Sequence, residues 1–252
     1  MFYFTPWRIS RLFLFWLVLA LPAHAAILQE LWPLQPNPAT LSNQLASAHD
    51  VPAALQPALQ FQKTFCAILL GAPAEAWRAD LEKFAHLTGD DPVTQGVRFT
   101  ASTWLARVWM QDIDAILRKY YQHHVCFPDT LAALGPTLPE ALRVDPVGRP
   151  WLYQLQAPTG FARQTNQRYR LNPDQEIYVS SLRDAIHNRR PPAPPWKIKQ
   201  QDVAGARALQ FQGAKANTLI QPGGMVDGRV LMYIGDGWAL FGGLDQLFTV
   251  TF

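Results

Sequence analysis

The residues best suited to chemistry stand together near the middle of the chain. His123 and His124 are adjacent, and Cys126 follows two residues later. Imidazole and thiolate are ligands that zinc prefers, and a closed structural site needs about four of them in a tetrahedron. Adjacent histidines at a helix end point in different directions, and the sequence identifies no fourth ligand. We therefore expect satisfied or solvent-exposed histidines here rather than a zinc site.

Other catalytic arrangements are not evident in the sequence. Glu75, Asp80 and Glu82 fall on a helical pattern whose apolar positions lie elsewhere, which indicates a solvated face rather than a general acid/base pair. The motifs His-Glu-x-x-His, Gly-x-Ser-x-Gly, the Walker loop and the dinucleotide-binding Gly-x-Gly-x-x-Gly do not occur. We predict no catalytic and no cofactor-binding residue, although a site assembled from dispersed residues leaves no local trace.

A long helix must carry the histidine pair. The segment from Pro92 to about His123 is predicted to be helical, with Asp90 and Asp91 as caps before the proline. Asp114 and Arg118 make a favourable i, i+4 pair on its solvent face. Its apolar residues recur at steps of three and four and form one wide stripe, namely Trp104, Leu105, Val108, Trp109, Ile113, Ile116, Leu117 and Tyr120.

Shorter elements flank the long helix. Upstream, an irregular segment over 31–38 leads to predicted helices over 51–70 and 74–87, whose apolar residues should pack against the long helix. Downstream, a short helix is predicted over 128–134, because it starts at a proline and stops before a glycine.

A turn and three strands follow. Asp145-Pro146-Val147-Gly148 has the residue order of a type I turn, because Asp caps the turn, Pro presets φ and Gly relieves crowding. Strands are predicted over 151–155, 169–171 and 177–180. In the first of these, apolar and polar residues alternate, so one face should pack against the long helix.

The run from Tyr120 to Tyr153 resembles a pseudopilin. Phe127 to Leu131 is similar to the F/Y-P-x-(S/T)-L that follows the long helix in the G-type major pseudopilins of type II secretion systems, and Asp145 to Tyr153 is similar to their D-P-x-G-x-P-(Y/W)-x-Y. The resemblance covers about residues 104–180 and implies the fold of the globular pseudopilin head. The chain lacks the prepilin cleavage motif with its continuous hydrophobic helix, so a polymerising role is not expected.

The resemblance also implies a possible calcium site. G-type pseudopilins bind calcium in the β-region after this turn, where Asp174, Glu176 and Ser180 offer oxygen ligands here. Calcium takes about six to eight oxygens, usually with several carboxylates, and this loop has no regular repeat of acids. The alternative is that Asp174 forms the corner of a turn.

The N-terminus predicts export. Arg8 and Arg11 precede an apolar run over 12–21, and Pro22-Ala23-His24-Ala25 offers small residues where a signal peptidase cleaves. The run of about ten residues is shorter than the ~20 that span a bilayer. We therefore predict a signal peptide over 1–25 and a periplasmic or extracellular mature chain, which contacts a membrane only if the signal is retained.

Composition limits the classes of partner. The chain has 22 Lys and Arg against 19 Asp and Glu, and two of the arginines lie in the signal segment. A nearly neutral mature chain is not expected to bind nucleic acid, which usually requires a basic stripe. Only 16% of the residues are charged while 12% are aromatic, a composition that suits extensive packing or interaction surfaces. We expect protein partners in the cell envelope and identify no small-molecule substrate.

The two cysteines, Cys66 and Cys126, are candidates for a disulfide. An oxidising compartment favours the bond, which would add about 4 kcal/mol of stability in the chain-entropy model. The alternative is two buried thiols in different helices. No Cys-x-x-Cys occurs, so we do not expect a thiol catalyst.

The C-terminal part reads as all-β. Glycine-rich turns bracket short apolar runs and predict strands near 206–211, 217–221, 229–234, 237–241 and 246–251. A proline-rich tract before them should form a stiff spacer. Residues 203–252 are weakly similar to the periplasmic β-domain of the type II secretion C subunit and of pilus lipoproteins, a resemblance that implies secretin binding.

The predicted architecture is α+β: N-terminal helices, with the long amphipathic helix packed on a small antiparallel sheet, followed by a small all-β unit. The predicted domains are 26–187 and 203–252, joined by a linker over 188–202. Three functions remain open. The first is a non-enzymatic docking or accessory component of a type II secretion or type IV pilus-like system. The second is an exported structural or binding protein outside any machine, and the third is an exported hydrolase with a dispersed site.

Overall fold

A computed structural model of the chain describes residues 28–156, 167–173, 178–188, 196–212 and 218–252. Over these residues the protein is α+β, as predicted, with one long helix and small antiparallel sheets. The α-helices are α1 (Pro38–Ala46), α2 (Gln56–Leu69), α3 (Arg78–Ala85), α4 (Pro92–His124) and α5 (Leu182–His187). Short 3₁₀ helices span Ala53–Leu55, Ala74–Ala76, Leu131–Thr137 and Glu140–Leu142. The strands are β1 (Leu152–Gln156), β2 (Arg168–Asn172), β3 (Lys197–Val203), β4 (Ala206–Gln212), β5 (Thr218–Ile220), β6 (Met225–Val226), β7 (Arg229–Ile234), β8 (Trp238–Gly242) and β9 (Leu247–Thr251).

Helix α4 is the predicted long helix. It runs for 33 residues, about 50 Å at 1.5 Å per residue. Its N-terminus is capped by Asp91, whose carboxylate accepts a hydrogen bond from Thr94 N–H at 2.9 Å. Hydrogen bonding with Thr94 lowers the pKa of Asp91 below its usual value. The helix ends at Val125, which has a left-handed conformation with φ of 57°.

Helices α2 and α3 cover the first half of α4, as predicted. The Phe65 ring meets the Trp104 ring edge to face at a centroid distance of 5.6 Å, and Phe61 packs on Phe84 at 5.8 Å. Every residue of α4 from Thr100 to Trp109 is buried. The helix is therefore enclosed on all sides over residues 100–109, and the predicted single apolar stripe describes only the residues after this stretch.

The four-stranded antiparallel sheet, in the order β6-β7-β8-β9, lies against α4. Successive side chains of a strand point to opposite faces, and both faces are apolar here. Met232 and Leu240 join the core that contains the helices. Leu231 and Phe241 belong to a second core on the opposite face. A sheet buried on both faces accounts for the nearly continuous apolar runs of β7 and β8.

The three-stranded sheet, in the order β3-β4-β5, closes this second core. Trp196 packs edge to face on Phe211 at a centroid distance of 5.2 Å, and Phe241 stacks on Phe248 at 5.6 Å. The Trp196 indole N–H donates to the Asp227 carboxylate at 2.7 Å, which satisfies its polar atom. The C-terminal strands thus form two layers, of which the inner one shares a core with α4.

The C-terminal strands match the predicted positions closely, except that β3 and β6 were not predicted. Residues 197–202 were assigned to a linker, yet they pair with β4 in a hairpin. The two-residue turn at Ala204 and Gly205 has φ values of 52° and 82°, the positive pair that a type I′ hairpin turn requires. The proline tract of the predicted linker lies outside the described residues.

The region that resembles a pseudopilin head contains the predicted turn. Gly148 N–H donates to Asp145 O at 2.9 Å, and the buried Asp145 carboxylate accepts from the Arg149 N–H at 2.7 Å. β1 and β2 follow it and pair antiparallel. Two predictions were wrong in detail. The short helix predicted over 128–134 begins later, at Leu131, and is a 3₁₀ helix, whereas the predicted stop is confirmed, because Gly135 with φ of 55° and ψ of −128° interrupts the range Leu131–Thr137. Residues 178–180 form no strand, because Val179 N–H bonds the Asn172 side chain at 3.1 Å instead of a neighbouring strand.

The first described residues dock on the last strand. Trp32 is fully buried, and its carbonyl oxygen accepts the Thr249 N–H at 2.8 Å. Gln246 Nε2 donates to Leu34 O at 3.0 Å. This segment therefore fixes the start of the described chain to β9. No helix among the described residues has both the length and the apolarity to cross a bilayer.

Candidate functional site

The histidine and cysteine group is not assembled as a metal site. The His124 ring stacks on Tyr120 at a centroid distance of 4.1 Å, while His123 and Cys126 are exposed. Within the described ranges, no three side chains of His, Cys, Asp or Glu lie close enough together to hold a metal ion.

The calcium prediction falls mainly on residues that are not described. Asp174 and Glu176 lie outside the described residues, while Ser180 is half-buried. Asn172, another oxygen donor of this region, already accepts the Val179 N–H. The calcium site therefore stays a prediction.

The predicted disulfide is not formed. Both thiols are free, with Cys66 buried and Cys126 exposed. Phe65, the neighbour of Cys66, packs on Trp104, and α4 runs about 30 Å further from Trp104 to its last residue, His124, at 1.5 Å per residue. A disulfide needs Cα atoms within roughly 7 Å, so this arrangement excludes the bond. Burial raises the pKa of the Cys66 thiol, which disfavours the nucleophilic thiolate.

The carboxylates of α3 and its N-terminal flank form no acid/base pair. Glu75 is exposed, Asp80 pairs with Lys83 at 3.2 Å, and Glu82 lies 3.6 Å from Arg78. Ordinary surface ion pairs of this kind contribute little. Their arrangement agrees with the solvated face that the sequence predicts.

A polar cluster lies between α4 and the loop 243–246, which joins β8 to β9. We call this cluster the junction. Three α4 side chains one turn apart reach this loop. Thr100 Oγ1 donates to Gly243 O at 2.8 Å, and Trp104 Nε1 donates to Asp245 O at 2.9 Å. Arg107 donates to Leu244 O at 3.2 Å. The junction therefore attaches the C-terminal sheet to the enclosed residues 100–109 of α4.

Arg107 is the charged centre of the junction. Its side chain is 1% exposed, forms a salt bridge with the Asp245 carboxylate and lies over the Trp104 ring at 4.9 Å. Burial lowers the pKa of Arg107, and the charge of Asp245 opposes that effect. Its Nε has no hydrogen-bond partner among the residues that the structure describes. The sequence analysis did not single out Arg107. The signal that could have found it is a cation three residues after Trp104, because residues three apart lie on the same face of a helix.

Backbone contact at two glycines reinforces the junction. A Cβ on Gly242 of β8 would lie 2.8 Å from the carbonyl oxygen of Gly96 in α4, and a Cβ on Gly96 would lie 2.3 Å from the Met232 side chain. Such distances are shorter than real Cβ contacts, so helix and strand approach as closely as backbones allow. Glycine at both positions makes this packing possible.

A tyrosine network joins the β1–β2 sheet to the second half of α4. The Tyr169 hydroxyl bonds one oxygen of the Asp114 carboxylate, and the other oxygen accepts from Arg118 Nε at 2.6 Å. The Tyr153 hydroxyl donates to Pro128 O at 2.8 Å. Burial raises the pKa of Tyr153 to about 12, and burial together with the Asp114 bond raises that of Tyr169 further. The predicted Asp114–Arg118 pair is confirmed.

A large concave surface lies beside this network, between α4, β2 and α5. We call it the α4–α5 groove. Its volume is about 830 Å³, within the range of ligand and peptide sites. Apolar side chains line much of it, and several charged groups stand at its walls. The lining residues are Arg107, Met110, Gln111, Asp114, Ala115, Arg118, Tyr169, Leu171, Ser181, Leu182, Arg183, Ile186 and His187.

A smaller cavity of about 320 Å³ lies where the Asp145 turn meets α4 and the four-stranded sheet. Two apolar side chains at its rim are largely exposed, Val147 at 56% and Met225 at 53%. Of its charged lining residues, Arg149 pairs with Asp145, and Arg98 donates to Leu87 O. The cavity therefore offers an apolar contact surface with the arginine charge of Arg98 beside it.

Comparisons of the chain with protein-family models, curated proteins and solved structures gave no match. What the protein does must therefore be inferred from its own residues and geometry.

Proposed function

We propose that the chain is an exported cell-envelope protein that acts as a docking or accessory component of a type II secretion or type IV pilus-like system. The observation that carries the proposal is the order of elements around α4. A long helix is followed by a proline-led segment with a short helix, a D-P-x-G turn and two strands that return to the helix. This order agrees with what the resemblance to the pseudopilin head implies.

The contacts within this region support the proposal further. Tyr169 of the β1–β2 sheet holds it against α4 through its bond to Asp114, and Tyr153 ties the sheet to the segment after α4 through its bond to the Pro128 carbonyl. Both tyrosines belong to strands that follow the turn. Tyr153 and Pro128, which belong to the two motifs that carry the resemblance, thus bond each other.

The enclosure of α4 indicates an accessory role rather than a filament subunit. Filament subunits of this type assemble through the N-terminal part of their long helix. The sequence has no prepilin motif with such a continuous hydrophobic helix, and residues 100–109 of α4 are buried beneath α2, α3 and the sheet. These residues offer no surface to a second copy, so we expect binding to use the outer faces of the molecule.

Export is the part of the proposal that a single experiment decides. N-terminal sequencing of the protein from the envelope fraction of its native host should give Ala26 as the first residue, because Ala23 and Ala25 fit signal peptidase. A protein that retains Met1 would contradict cleavage and would indicate an anchored topology.

Docking is tested by mild cross-linking in the native host followed by purification of the tagged full-length chain. We expect secretin, inner-membrane platform or pseudopilin components among the cross-linked proteins. The matched control is the tagged chain from Ala26 onward, which is kept in the cytoplasm and should recover none of them. A native protein recovered as a monomer without such components would favour the alternative, an exported binding protein of no machine.

A further inference from the structure

One positive charge of the α4–α5 groove has no counter-ion among the described residues. Three arginines line the groove, of which Arg107 is paired with Asp245 and Arg118 with Asp114. Arg183 forms no salt bridge with any described residue. The neighbouring Asp184 bonds Ser181 and Asn188 at the two ends of α5 and is not among the described lining residues. The described walls therefore leave the charge of Arg183 unbalanced.

The groove also has an apolar floor. Met110 of α4, Leu171 of β2 and Ile186 of α5 converge on it from three elements. All three are only partly buried, so apolar surface remains open to a partner. A concave apolar surface with charge at its edge is the usual arrangement of a helix-binding groove.

Its length corresponds to a short helix. The groove follows α4 from Arg107 to Arg118 at positions one turn apart, about 16 Å at 1.5 Å per residue. A partner helix of about three turns spans the same distance.

We propose that the α4–α5 groove binds an acidic amphipathic segment of a partner protein, with its apolar face on Met110, Leu171 and Ile186 and its carboxylates toward Arg183 and Arg118. This inference rests on the proposed docking function and names the chemistry of the partner. A membrane surface fits less well, because the charges stand at the walls of a concavity that a lipid surface does not enter.

The test starts from selection of displayed random 12-residue peptides on the immobilised chain from Ala26 onward. Enriched peptides should combine Asp or Glu with Leu, Ile or Phe at helical spacing. Their affinity is then measured by fluorescence anisotropy at low and at physiological salt, and it should fall as salt rises.

Variants locate the peptide in the groove. Arg183→Glu should weaken binding about tenfold, because it replaces an attractive wall charge with a repulsive one. Arg170→Glu is the matched control, since Arg170 lies between Tyr169 and Leu171 on β2 but points to the opposite face. It should leave the affinity within about twofold of the parent.

A pair of substitutions at one site separates charge from bulk. Ala115 is an exposed lining residue of α4, and both Glu and Lys are good helix formers. Ala115→Glu should weaken binding about tenfold, whereas Ala115→Lys should preserve or strengthen it. Circular dichroism of each variant should match that of the parent.

Several outcomes would overturn this inference. They are enrichment of basic or uncharged peptides, no enrichment at all, equal effects of the two Ala115 variants, and an Arg170→Glu effect as large as that of Arg183→Glu. Binding of the chain to vesicles of anionic lipid in place of peptides would assign the groove to a membrane. If the chain still cross-links to secretion components in cells, the docking function stands and only this groove is excluded.

Discussion

Substitutions of the two partners in the salt bridge of the junction should destabilise the protein by different amounts. Its charged pair consists of Arg107, which is 1% exposed, and Asp245, whose side chain is 35% exposed. Asp245→Ala leaves a buried guanidinium without a counter-ion, and only the Leu244 carbonyl and the Trp104 ring remain to stabilise it. Arg107→Met leaves a carboxylate that water already reaches and fills the space of the arginine stem with an apolar side chain.

The magnitudes follow from this difference. Removal of one partner from a fully buried pair costs about 3–5 kcal/mol, and the partial exposure of Asp245 places Asp245→Ala at the lower end, near 3 kcal/mol. Arg107→Met should cost about 1 kcal/mol, because the carboxylate is rehydrated. The double variant, which combines Asp245→Ala with Arg107→Met, leaves no unpaired buried charge. It should therefore be about as stable as Arg107→Met alone.

Urea unfolding followed by tryptophan fluorescence measures all three variants, since Trp104 lies beside Arg107. The control is Lys83→Met, which breaks an exposed pair with Asp80 and should change the free energy of unfolding by less than about 0.5 kcal/mol. If Arg107→Met costs more than Asp245→Ala, or if the double variant shows the sum of both losses, the reasoning about the buried guanidinium is wrong.

Three further predictions concern close packing, thiols and pH. Gly242→Ala should cost about 1–3 kcal/mol in the same urea assay, because its methyl meets the Gly96 backbone; a loss below about 0.5 kcal/mol would contradict that contact. A thiol reagent should react at once with the exposed Cys126 and reach the buried Cys66 only after unfolding; a native protein without free thiol would restore the disulfide. Tyr153 has its pKa raised to about 12, above the unfolded value near 10, so it contributes stability below pH ~10 that is lost as pH rises toward 12. Tyr153→Phe should flatten that decline, and an unchanged decline would contradict the assignment.

Much of the fold could be predicted because its signals are local. The period of apolar residues in α4 and the cap at Asp91 need no knowledge of distant contacts, and glycine-rich turns placed most C-terminal strands within about two residues. β3 was not predicted, and the reason is physical. Its residues are mostly polar and exposed, so its strand conformation depends on pairing with β4 rather than on its own pattern.

The candidate sites depend on contacts between distant residues. Arg107 meets Asp245 across 138 positions, and the α4–α5 groove is built from three separate elements. No local pattern marks either of them. The disulfide prediction was wrong for the same reason. It rested on the oxidising compartment, which says nothing about the distance between Cys66 and Cys126 in the fold.

The claim that the protein docks in a secretion or pilus-type machine through the α4–α5 groove is tested most directly by cross-linking from inside the groove. A photoreactive amino acid at Ala115 in the full-length chain, expressed in the native host, should cross-link to an acidic segment of an envelope component of such a machine. The same amino acid at Arg170, on the opposite face of β2, should give no such product. Cross-links from Ala115 only to lipid or to unrelated proteins, with envelope machinery absent from both positions, would contradict the account.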